Sequence, residues 1–73
     1  MTLVAAIGER ERVSGFAFAG VRVEAVEHAD AALGAWRGLP ADVGLVILTP
    51  AAHRALATEL SAQDRRLWVV LPA

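Results

Sequence analysis

The sequence predicts an α/β domain: four parallel strands alternate with three helices, β-α-β-α-β-α-β, in a sheet of order 2-1-3-4, as in Rossmann-like and receiver-like three-layer folds. Three observations lead there. Residues 2–7 and Val43–Leu48 are continuous apolar runs, as strands buried on both faces require. Val21-Arg22-Val23-Glu24-Ala25 instead alternates apolar and polar, the pattern of a strand with one wet face. Between these runs the apolar residues recur at helical spacing and stop at glycine or proline.

Taken in order, the first run breaks at Gly8. Glu9-Arg10-Glu11-Arg12 then leads into Val13, Phe16, Ala17 and Gly20, spaced i, i+3, i+4, i+7 on one face of a short helix. Glu9 and Glu11 suit the positive end of that helix, and Gly20 is its stop signal. A second helix is predicted over 28–37, where Ala29, Ala32, Leu33 and Trp36 repeat the spacing before Gly38-Leu39-Pro40. Thr49-Pro50 after the third strand provides an N-cap and a proline at the first helical position. That helix runs to about residue 60 with Ala52, Leu56 and Leu60 inward. A polar loop, 61–66, precedes the last strand, 67–71, which Pro72 closes. The two all-apolar strands belong at the centre, so Leu3, Val4, Leu45, Val46, Ile47 and Val69 are expected in the core, together with Phe16 and Trp36.

The chain has 73 residues, enough for one domain with a thin stability margin. It lacks cysteine, which excludes disulfides and thiolate metal sites. At 56% hydrophobic residues and a mean hydropathy of +0.48 it carries more apolar surface than so small a domain hides easily. No run approaches the roughly 18 residues of a membrane-spanning helix, and no basic region precedes the first apolar stretch, so a cytoplasmic protein without direct membrane insertion is expected. A net charge of -1 is not the footprint of a nucleic-acid binder.

Catalytic chemistry finds little support in the residues. All seven basic side chains are arginine, so the lysine of a phosphate loop is missing, and Gly8-Glu9-Arg10-Glu11-Arg12-Val13 does not supply GxGxxG. A receiver domain is excluded likewise: its third strand would end in a phospho-accepting aspartate, whereas here Ile47-Leu48-Thr49-Pro50 stands there. His28 and His53 begin different helices without a carboxylate or cysteine cluster, and they read as surface or capping residues. No catalytic residue, cofactor or metal is expected.

Docking has better support. In the order 2-1-3-4 the reversal of direction puts the first helix alone on one face of the sheet. Four strands outspan one short helix, so that face is expected to stay partly open. The wholly apolar last strand also lies at an edge, where it invites pairing. Phe18, off the inner helical face, joins Arg22 and Glu24 on one edge strand and Leu67, Trp68 and Val70 on the other as candidate partner-binding residues. Self-association of the isolated chain is expected. A rival reading is a small regulatory or ligand-binding module using the crevice between strands 1 and 3, near Gly8, Glu9 and Thr49; an unrelated homo-oligomeric structural domain is a third.

The string Ile7-Gly8-Glu9-Arg10-Glu11-Arg12-Val13-Ser14-Gly15-Phe16-Ala17-Phe18-Ala19-Gly20 resembles the opening of the F-subunit family of the V/A-type (vacuolar/archaeal-type) rotary ATPases: a strand, a Gly-acid turn and a Gly-Phe-x-Leu-Ala-Gly helix end, with Phe18 in place of the usual leucine. Val43-Gly44-Leu45-Val46-Ile47-Leu48-Thr49 resembles that family's third strand and its cap, and Trp68-Val69-Val70-Leu71-Pro72 its closing strand. The likeness spans the chain as a single globular domain, 1–73, without the C-terminal helical segment that the family carries. It implies a non-catalytic central-stalk component that pairs with the D-subunit, its stalk partner, and supports the coupling of ATP hydrolysis or synthesis to ion transport. Such a component is cytoplasmic and reaches the membrane only through the complex.

Overall fold

The computed structural model describes residues 3–73; Thr2, expected at the head of the first strand, lies outside the described residues. β1 (Leu3–Gly8) leads into a single turn, α1 (Arg10–Val13), which tightens into a 3-10 helix, Ser14–Ala19. There follow β2 (Arg22–Ala25), α2 (Ala29–Arg37), β3 (Val43–Leu48), α3 (Pro50–Ser61) and β4 (Leu67–Val70). The sheet is parallel throughout in the order β2-β1-β3-β4, as the alternation of elements requires.

Local chemistry fixes the joints. Thr49 caps α3 by accepting from the Ala52 amide at 3.3 Å, with Pro50 in the first turn, where its missing N–H costs nothing. Gly20, at φ 78°, ends the 3-10 helix in the left-handed region, and its amide donates to the Ala17 carbonyl. Gly8 answers to a steric demand: a Cβ there would stand 2.2 Å from Thr49 Cγ2. Arg66, read from the sequence as part of a polar loop, is a clamp. Its guanidinium donates to the carbonyls of Val43 (2.7 Å) and Pro40 (2.6 Å) and lies over the Trp36 ring. The clamp ties the loop before β4 to the connection between α2 and β3, where the Pro40 carbonyl also accepts from the Val43 amide, and no spacing rule reveals it.

Lateral neighbours in a sheet share a face. Ala5, Val46 and Trp68 are in register, as are Ile7, Leu48 and Val70, and these point towards α2 and α3. There Ile7, Val46, Leu48, Ala32, Trp36 and Leu56 form the heart of the core. Burying a side chain such as Leu56 contributes about 1.5–3 kcal/mol. Arg37 ties α2 to Glu59 of α3 across the top of this layer, 2.5 Å apart. On the opposite face Ala6 of β1 and Val13, the last residue of α1, are fully buried but stand outside that cluster.

The core differs from expectation. Of the residues assigned to it, Val46 and Trp36 are buried, while Val4, Leu45, Ile47 and Phe16 are half-buried and Leu3 and Val69 are exposed. Val4, Leu45, Ile47 and Val69 alternate onto the face that α1 only partly covers, so an apolar run here signals an open face rather than double burial. Phe16, three residues after Val13, stays on its stripe at three residues per turn but is only half-buried, whereas Ala17, at i+4, falls off that stripe and is exposed.

Candidate docking surface

The face opposite α2 and α3 is covered over β2 and β1 by α1 and the 3-10 helix, and not over β3 and β4. Two lateral rows cross this open half: Val4, Leu45 and Leu67 in one, Ala6, Ile47 and Val69 in the next. Exposure grows from the centre outward. Ala6 is buried, Leu45 and Ile47 are half-buried, Val69 is 49% exposed and Leu67 73%. None of these six side chains carries a polar atom, so the strip offers a partner only apolar contact. Arg12 of α1 donates to the Pro72 carbonyl at 2.6 Å, so the chain after β4 is tied towards the covered half.

The predicted contact residues do not form one patch. Leu67 lies on the open strip. Trp68 and Val70 sit on the other face of β4, 38% exposed each, where the Trp68 ring meets the His53 ring of α3 at 5.1 Å between centroids. Arg22 and Glu24 lie at the far edge, paired with each other at 2.8 Å. With strands ~4.8 Å apart, three strand spacings separate the two edges. Phe18 projects from the 3-10 helix and is 96% exposed. Val69, Ile47 and Leu45 were missed as surface residues; the signal was present in their alternation with Val46 and Leu48, once the face lacking a second helix is considered.

The crevice where strand order reverses has a different character. Thr49 is fully buried, and its hydroxyl donates to Glu9 Oε1 at 2.5 Å while accepting from the α3 amide. The carboxylate of Glu9 therefore sits one hydrogen bond away from the N-terminus of α3, where an open α/β sheet would hold an anionic ligand. The Thr49 hydroxyl holds the Glu9 carboxyl below its ordinary value, helped by its own backbone amide, against the opposing effect of burial and with weaker help from Arg12 and Arg54. Outward of this contact a cleft of about 350 Å³ opens between α2 and α3, floored by Ala32, Ala52 and Ala55 and rimmed by Glu9, Glu27, His28 and Arg54. His28 begins α2 without a side-chain capping bond.

No protein-family model matches the chain, and no curated protein or solved structure matches it. Among the described residues no helix is long and apolar enough to cross a membrane.

Proposed function

We propose that this chain is a non-catalytic docking component of the central stalk of a V/A-type rotary ATPase, the counterpart of the F-subunit, and that it supports rotary coupling of ATP hydrolysis or synthesis to ion transport by binding the D-subunit. The observation that carries the reading is the open apolar strip over β3 and β4, from Leu45 and Ile47 out to Leu67 and Val69. Exposed apolar surface of this kind marks contact sites. The likeness of residues 7–20 to the family supports it too, since Gly20 stands as the left-handed stop of the helix end that carries the motif.

A role without nucleotide chemistry fits the crevice. Glu9 already sets a negative charge beside the α3 N-terminus, and the chain has no lysine for a phosphate loop. Isothermal calorimetry of the pure chain is expected to register no ATP binding in the micromolar range. Co-expression with the D-subunit of the same genome is expected to yield a one-to-one complex on size exclusion. Separate elution of the two chains would overturn the proposal.

The cleft between α2 and α3 favours a second reading, a small ligand-binding module, because its volume falls within the ~300–1,000 Å³ of ligand pockets. Ala55→Leu, which fills the cleft from α3, separates the readings: it leaves binding of the stalk partner unchanged under the first and abolishes ligand binding under the second.

A further inference from the structure

We propose that a second copy of this chain pairs with β4 across a two-fold axis, antiparallel, so that Val69 faces Val69 of the second copy and two four-stranded sheets become one. The inference goes beyond docking to a stalk partner and stands on the edge strand alone.

The hydrogen bonds of β4 show which groups are free. Leu48 is in register with Val70, and its carbonyl accepts from the Leu71 amide at 2.8 Å. In a parallel ladder this turns the N–H and C=O of Val69 and Leu71 inward to β3, and those of Trp68 and Val70 outward. Two residues thus present two donors and two acceptors to the open edge, a set that a copy of itself satisfies. Trp68 pairs with Val70 of the second copy, Val70 with its Trp68, and four backbone hydrogen bonds close around a central Val69–Val69 pair. Pro72 has no N–H and ends the ladder.

Side chains and charges agree with this register. Trp68 and Val70 share the α3 face, as the His53 contact shows, so the seam sets an aromatic against a β-branched residue, a favourable cross-strand pair. Natural edges are blunted by charge, proline or a bulge. β2 carries Arg22 and Glu24, whereas β4 carries no charge. Arg66, next to β4, is held inward on the Val43 and Pro40 carbonyls and does not guard the edge. Exposed Asp64 and Arg65 precede the strand. Antiparallel pairing sends the two copies' charges to opposite ends of the seam; parallel pairing would set Arg65 beside its own copy. A four-residue seam falls below the ~1,200 Å² of stable interfaces, so the dimer forms between micromolar and millimolar concentration.

The chain has no cysteine, so single introduced thiols report the register. Opposed residues at a non-hydrogen-bonded antiparallel position lie ~4.5 Å apart at Cα, within disulfide reach. Val69→Cys is therefore expected to form a covalent dimer under mild oxidation at ~0.5 mM. Leu67→Cys, whose two thiols would stand on strands offset by about 13 Å, is expected to cross-link at least tenfold more slowly. Val70→Pro removes an outward N–H and no inward one, and is expected to abolish the Val69→Cys cross-link with the circular dichroism of the parent retained. Val70→Lys, which keeps the N–H and brings two like charges near the axis, is expected to do the same if the proline variant unfolds. Sedimentation showing the parent monomeric at ~1 mM, equal cross-linking of Leu67→Cys and Val69→Cys, or a folded Val70→Lys variant that cross-links as before would overturn the pairing.

Discussion

The two faces of the sheet are made from the same kind of residue and end in opposite states. Towards α2 and α3, Ile7, Val46 and Leu48 are fully buried; on the other face their neighbours Leu45 and Ile47 are only half-buried and Val69 is exposed. Composition cannot separate the two sets, since all six are valine, leucine or isoleucine. What separates them is cover. Two helices of nine and twelve residues lie on one side, and a four-residue turn with a six-residue 3-10 helix lies on the other. Stability therefore rests on the first face.

The largest expected effect breaks the covered face. Leu56→Ala removes a fully buried side chain and is expected to cost about 2–5 kcal/mol, a large share of what a small domain has. Val69→Ala, the same chemistry on the open face, is expected to stay within about 0.5 kcal/mol. Denaturant unfolding of both variants checks the contrast, and equal losses would show that the open face is packed after all.

At the crevice, Gly8→Ala forces a Cβ against Thr49 and is expected to cost about 1–3 kcal/mol. Thr49→Ser deletes the nearest atom, Cγ2, so the double variant is expected to lose less than the sum of the single changes. Strict additivity in the double-mutant cycle would contradict the contact. Phe16→Ala comes next. A core phenylalanine costs about 3–5 kcal/mol on truncation, and half-burial beneath a 3-10 helix is expected to bring this to roughly half, with a folded variant by circular dichroism.

The smallest effect concerns pH. The Glu9 carboxyl titrates below its ordinary value in the folded state, so its stabilising contribution is present above the unfolded value and is lost as pH falls through the folded one. Acid titration of unfolding below about pH 4.5 should therefore be shallower in Glu9→Gln than in the parent. A steeper or unchanged slope would contradict the Thr49–Glu9 bond.

The architecture was legible because the strand and helix periods are clean. β3 falls on its expected residues, α2 and α3 lie within one residue of theirs, and the 2-1-3-4 order follows from placing the apolar strands centrally. The first helix was less so. Its spacing fits a 3.6-residue period, yet one α turn gives way to a 3-10 helix that turns Ala17 out to solvent, and Phe16 is only half-buried. Burial was the least legible. A run such as Val43–Leu48 states only that both faces are apolar, and whether both are covered depends on distant helix lengths. Two further features were invisible for a similar reason. The clamp by Arg66 and the Thr49–Glu9 contact join residues 23 and 40 positions apart, which no local pattern reports.

The central claim is that the open strip over β3 and β4 is where the stalk partner docks. Calorimetric titration of the D-subunit into the parent, Leu67→Glu and Arg22→Glu tests it most directly. Leu67→Glu places a charge on the strip at its most exposed side chain and is expected to weaken binding more than tenfold, about 1.4 kcal/mol. Arg22→Glu, at the far edge, is expected to bind within twofold of the parent. A Leu67→Glu variant that binds as the parent does, or a parent that gives no heat with the stalk partner, would contradict the account.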